Sequence, residues 1–93
     1  MKSHILISYD ISNDKKRTKL GDFLLNFGLR WQYSLFMCSV TKDEKKKLLN
    51  NLEKFTEKGD SIIIVPIDLN LLKQIGFIGE IKQLVEQTGL KVI

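Results

Sequence analysis

Apolar and polar positions alternate with a period of two through residues 4–11 (HILISYDI). Ile5, Ile7, Tyr9 and Ile11 share one face and His4, Leu6, Ser8 and Asp10 the other, which predicts a strand. The period then changes. Leu20, Phe23, Leu24 and Phe27 stand at i, i+3, i+4 and i+7, so residues 14–27 read as an amphipathic helix. Ser12, Asn13 and Asp14 supply N-cap candidates and Gly28 is placed to end the helix. Residues 31–40 (WQYSLFMCSV) return to extended spacing. Tyr33, Leu35 and Met37 fall on one side, and Gln32, Ser34, Phe36 and Cys38 on the other. One long strand and two short strands joined by a bend both satisfy this pattern.

Thr41 and Glu44 match a capping box. Leu48, Leu49, Leu52 and Phe55 form the stripe of a second helix, terminated by Gly59. Residues 61–67 (SIIIVPI) predict a strand apolar on both faces, with Pro66 marking an edge or a strand end. Beyond it, residues 73–78 suit a short strand, residues 81–88 a short helix closed by Gly89, and residues 90–93 a last short strand. The order β-α-β(-β)-α-β predicts one α+β domain of ferredoxin-like type over residues 1–93. Its core is residues 1–67, and a mainly antiparallel sheet carries both helices on one face. Leu6, Phe36, Cys38 and the 61–67 strand would leave the other face apolar, so a homodimer through that face and a C-terminal segment (68–93) in the dimer contacts are expected.

Composition narrows the function classes. A chain of 93 residues, 43% hydrophobic and 28% charged, has room for one core and is neither disordered nor low-complexity. The single cysteine, Cys38, and single histidine, His4, exclude a disulfide framework, a cysteine zinc cluster and a Ser-His-Asp site. They fit a reducing cytoplasm. No apolar run approaches a membrane span, and the first residues lack signal-peptide layout, so no membrane partner is expected. The formal charge is +4. It is concentrated: Lys15, Lys16, Arg17 and Lys19 cluster at the start of the first helix, whereas the lysines of residues 42–58 are nearly balanced by Asp43, Glu44, Glu53 and Glu57. Such a cluster suits a phosphate backbone, and a solvated helix face accounts for it equally.

Four stretches then fall in a recognisable order. Tyr9-Asp10-Ile11, Lys16-Arg17-Thr18-Lys19-Leu20, Gly28 to Phe36 (GLRWQYSLF) and Asp60-Ser61-Ile62-Ile63-Ile64 together resemble the small second protein of the CRISPR adaptation module. That family comprises CRISPR-associated endonucleases and structural partners of the CRISPR integrase. The resemblance spans roughly residues 4–67. Met37 departs from it where an acid is frequent, and Trp31 where a smaller β-branched residue is common. It implies a homodimer in which two sheets face each other, often with the C-terminal segment of one protomer added to the sheet of the other.

Asp10 is the residue singled out. On the residues alone, an exposed strand-end acid or a turn cap accounts for it. The resemblance implies a catalytic and metal-proximal role near the dimer dyad. There, two copies of Asp10 would share one Mg²⁺ for phosphodiester hydrolysis, since a single carboxylate offers that ion too few ligands. Lys15, Lys16, Arg17, Lys19 and Arg30 are the nucleic-acid-binding candidates. Arg30 could equally pair with an acid across an interface. Tyr9, Ser34 and Phe36 are expected near the site or the interface. The leading expectation is a dimeric scaffold binding duplex DNA for the integrase, with metal-dependent hydrolysis of DNA or RNA in question. The alternatives are a virulence-associated ribonuclease toxin of the same fold and a non-catalytic ferredoxin-like regulatory module.

Overall fold

The computed structural model describes residues 2–82 and 91–92, the last two by backbone alone. Strand β1 (Ser3–Asp10) is followed by helix α1 (Asp14–Leu24), strands β2 (Gly28–Gln32) and β3 (Leu35–Val40), helix α2 (Lys42–Asn51) and a single 3₁₀ turn (Glu53–Phe55). Strand β4 (Ser61–Ile67), helix α3 (Leu69–Gln74) and the two-residue strands β5 (Gly76–Phe77) and β6 (Lys91–Val92) complete it. Four strands form one sheet in the order β2-β3-β1-β4, every neighbouring pair antiparallel. That is the split βαβ arrangement expected from the sequence. β5 and β6 pair in parallel as a separate ribbon.

Local chemistry explains the boundaries. The Asn13 side chain accepts the Lys16 N–H at 2.9 Å and caps α1. At α2 the capping box is complete: Thr41 Oγ1 accepts the Glu44 N–H, and Glu44 Oε1 accepts the Thr41 N–H. The 31–40 region resolves into two strands, because a turn at residues 33–34 separates them. α1 ends at Leu24 rather than Phe27, the chain tightening through Phe27 N–H to Leu24 O at 2.9 Å. Gly28 therefore does not terminate the helix. It opens β2, where a Cβ would lie 2.1 Å from the Met37 carbonyl oxygen. It is glycine because two backbones touch there.

Register decides which side chains share a face. Ile5 opposes Cys38 and Ile7 opposes Phe36, so Phe36 and Cys38 point to the helices with Ile5, Ile7 and Tyr9. This corrects their expected place on the second face: directly opposed residues of an antiparallel pair project to the same side. The helix-side core joins Ile5, Ile7, Tyr9, Ile11, Phe36, Cys38 and Val40 to Leu20, Leu24 and Phe27 after β1 and to Leu48, Leu52 and Phe55 around α2. Each such side chain contributes roughly 1.5–3 kcal/mol on burial. Phe36 is consequently core of its own chain and not an interface residue.

The second face is only partly open. Trp31, Met37, Ile67 and Leu72 form a second buried cluster, with Leu6, Leu29, Leu35, Ile75 and Ile81 against it. Residues 69–81 thus cover one end of the sheet that the sequence left for a partner. Of the strand expected at residues 73–78, Lys73 and Gln74 instead belong to α3. Asp68 starts it, accepting the Leu71 N–H at 2.8 Å, and only Gly76–Phe77 is extended. The expected helix at 81–88 lies largely outside the described residues. β4 is an edge strand, as Pro66 indicated, and its Ile63 and Val65 remain exposed on the second face.

Candidate functional site

β1 delivers Asp10 to the end of the sheet, exposed and opposite Ser61 of β4. Its register places it on the second face with Leu6 and Ser8. The chain then turns into α1, and that turn is fixed from two sides. Asp60 Oδ1 accepts both the N–H and the hydroxyl of Ser12 at 3.1 Å, while Asp60 Oδ2 accepts the Glu57 N–H at 2.8 Å. The backbone hydrogen bonds from Glu57 and Ser12 hold the Asp60 carboxyl below its ordinary pKa. On the other side, Arg17 Nη1 donates to the Ile11 carbonyl at 3.1 Å and Nη2 bonds the Asp14 carboxylate. The guanidinium therefore stands one residue from Asp10. Its pKa is raised by Asp14 first and by the Tyr33 hydroxyl second.

The other basic candidates divide. Lys15 and Lys19 are exposed on α1. Lys16 is committed to Glu57 at 3.1 Å, which lessens its availability to a ligand. Arg30 lies half-buried beneath α1, its guanidinium 5.0 Å from the centre of the Phe36 ring. Gly21 makes room for it: a Cβ there would come within 2.4 Å of Arg30 Nη2 and 3.5 Å of the Tyr9 hydroxyl. Tyr9 is buried, stacked on Phe36, and its hydroxyl donates weakly to the Tyr33 carbonyl at 3.4 Å. Burial raises the pKa of Tyr9, partly offset by Arg30. Ser34 sits in the β2–β3 turn, its carbonyl accepting the Tyr9 N–H at 3.0 Å. Tyr9, Arg17, Thr18, Asp22, Arg30 and Tyr33 line one small concavity of about 140 Å³. Gly21, Tyr33 and Asp60 escaped the sequence reading as parts of this region. A glycine inside a helical stripe is the one signal that pointed to a close approach.

The chain matches the family model for CRISPR associated protein Cas2 over residues 3–75. This chain belongs to the Cas2 family. A CRISPR-associated endoribonuclease Cas2 of Synechocystis sp. is 36% identical over 76 residues, covering 81% of this chain and 83% of the relative. One from Chloroflexus aurantiacus is 39% identical over 69 residues, covering 73% and 74%. Among solved structures, Streptococcus pyogenes Cas2 superposes with a TM-score of 0.73 at 26% identity, over 82% of this chain and 99% of that one. A chain of a partial Cas6-RT-Cas1–Cas2 complex superposes at 0.65 with 31% identity, over 76% and 84%. The Cas2 match displaces the toxin and regulatory-module readings.

The described residues of this Cas2 protein do not by themselves assemble a metal centre. Among the described residues no group of three or more histidine, cysteine or acidic side chains is placed to hold an ion. Asp60 is occupied with Ser12 and Glu57. Cys38 is no candidate either: burial pushes its thiol up to about 12. No helix among the described residues is long and apolar enough to cross a membrane.

Proposed function

We propose that this Cas2 protein acts in CRISPR adaptation as a homodimer that holds nucleic-acid backbone at the Asp10 end of its sheet and joins a Cas1-type integrase. The observation that supports it is the junction of β1 and α1. An exposed carboxylate stands there one residue from the carbonyl that Arg17 grips, with Lys15 and Lys19 exposed on the following turns. Phosphate oxygens need such donors, and none of them reads base edges, so binding is independent of sequence. The Cas1–Cas2 complex among the similar structures supports the integrase as partner. Binding to a blunt duplex should weaken steeply as salt rises, because phosphate contacts release counterions. Salt-independent binding, or none, refutes the reading.

A second activity is favoured by the endoribonuclease names of the relatives. Two copies of Asp10, one from each protomer, would hold Mg²⁺, which when bound supplies an activated water and charge stabilisation at a phosphodiester. The chain's own part is to present Asp10 exposed on a rigid strand and to hold the phosphate beside it. Asp10→Asn should abolish Mg²⁺-dependent cleavage of RNA or DNA while leaving the dimer intact. Spacer integration together with the integrase separates the two roles. Integration retained by Asp10→Asn assigns a scaffold, and integration lost assigns a catalytic part to the carboxylate.

A further inference from the structure

Arg17 does not stand free at the junction of β1 and α1. Nη1 donates to the Ile11 carbonyl, the Tyr33 hydroxyl stands against the guanidinium, and Nη2 bonds the carboxylate of Asp14, three residues earlier. Two of these partners are neutral and one is an anion. Ile11 and Tyr33 fix where the guanidinium sits and leave its charge in place, whereas Asp14 cancels it. The concavity under α1 adds Arg30 and Asp22, one charge of each sign. Arg17 therefore offers a net positive charge only when Asp14 leaves it.

Exposure shows which member of the pair can leave. The Asp14 side chain is 88% exposed and that of Arg17 27%. Asn13 caps α1, so the helix start does not need the Asp14 carboxylate to stay where it is. Rotation of its own side chain takes Asp14 into water at little cost, while Ile11 and Tyr33 still hold Arg17. A phosphate arriving with two oxygens meets the same atom. Both two-donor edges of a guanidinium, Nη1–Nη2 and Nε–Nη2, include the Nη2 that Asp14 occupies. We infer that Asp14 is a built-in competitor for Arg17, occupying the guanidinium until a nucleic-acid phosphate takes its place. The inference rests on the nucleic-acid reading above and adds to it the contact that limits affinity. Lys15 and Lys19, exposed on the same helix, hold the backbone close enough for one of its phosphates to compete with a tethered carboxylate.

The test measures the affinity of the full chain for a labelled blunt DNA duplex by fluorescence anisotropy at one fixed salt concentration. Asp14→Asn should bind roughly two- to fivefold more tightly than wild type, the range for release of an exposed ion pair. Asp14→Glu keeps a carboxylate three residues from Arg17 and should bind as wild type does. Asp14→Ser, which also suits a helix start, repeats the measurement should circular dichroism show that Asp14→Asn folds poorly. Two comparisons separate competition from net charge. Asp43→Asn removes an exposed acid at the start of α2, beside the opposite end of β1, and should gain less than Asp14→Asn. In an Arg17→Ala background, Asp14→Asn should gain no more than Asp43→Asn does. Unchanged or weaker binding by Asp14→Asn overturns the inference. So does an equal gain in Asp43→Asn, in Asp14→Glu or in the Arg17→Ala background. Duplex binding by neither wild type nor Asp14→Asn overturns the nucleic-acid reading together with the inference.

Discussion

Gly28→Ala tests the backbone contact on which the site's second arginine depends. The new methyl would lie 2.1 Å from the Met37 carbonyl oxygen, 2.6 Å from Cys38 Cα and 2.7 Å from the Met37 carbonyl carbon. All three atoms are main chain in β3, which is held on its other side by β1. No rotamer change relieves the overlap, so β2 must move. It is an edge strand, and it carries Trp31, 4% exposed, into the second cluster. Overpacking costs about 1–3 kcal/mol, and a backbone clash falls at the upper end. Relief of glycine's conformational entropy returns about 0.5–1 kcal/mol in a strand. A net loss of about 2 kcal/mol lowers the melting midpoint by roughly 8–16 °C in a domain of this size. Thermal denaturation followed by circular dichroism measures it, and the displaced Arg30 should weaken nucleic-acid binding in the same variant. A midpoint within about 2 °C of wild type would refute the contact and with it the pairing of β2 against β3.

Asp60 gives a pH dependence. Its folded-state pKa lies below the unfolded one, so the carboxylate adds stability above the ordinary aspartate value of about 4, and this is lost as pH falls through the depressed folded value. The stability difference between wild type and Asp60→Asn should therefore be present at pH 7 and shrink below about pH 4, as read by denaturant midpoints. Cys38, with its thiol pushed up to about 12, should resist a thiol reagent at pH 8 in the native protein and react at once in denaturant; prompt native reaction would show the core to be open. Arg17→Ala should reduce the salt slope of duplex binding by about one, and an unchanged slope would remove Arg17 from the phosphate contacts. Ile63→Lys with Val65→Lys, both on exposed positions of β4, should shift the protein in light scattering to a monomer near 10.8 kDa without lowering its melting midpoint; a persisting dimer would place the interface elsewhere.

What the sequence made legible follows the range of the forces involved. Period-two spacing at residues 4–11 and the Thr41–Glu44 box are local signals and their elements formed there, whereas the stripe ending in Phe55 carries α2 only to Asn51, with Phe55 in the 3₁₀ turn and Gly59 beyond any helix end. Which face Phe36 and Cys38 occupy is not local. It depends on where β3 starts after the turn at 33–34 and on its register with Ile7 and Ile5, and a slip of one residue inverts every side chain. α3 was missed because a six-residue helix has too little stripe to show a period, although Asp68 carried its cap. At the site, Asp10 and the basic turn were legible because they are adjacent in sequence. Asp60, Gly21 and Tyr33 arrive from the loop before β4, from α1 and from the β2–β3 turn, and only the fold brings them together there.

In the proposed homodimer the second face would be divided between the chain and its copy. Leu72, Ile75 and Ile81 already shield Trp31, Met37 and Leu6, so a partner docking at that end would have to displace them. At the β4 edge none of the described residues need be displaced. Ile63 and Val65 are exposed there, and their register partners are Ser8 and Leu6, two and four residues before Asp10 on the same face of β1. In the proposed homodimer, a copy seated on this patch by a two-fold axis would place its own β4 patch against the first and would keep both Asp10 side chains at the rim of one interface. In the proposed homodimer the same patch would serve two requirements: covering the apolar surface left at the edge strand and bringing a second Asp10 carboxylate to the first.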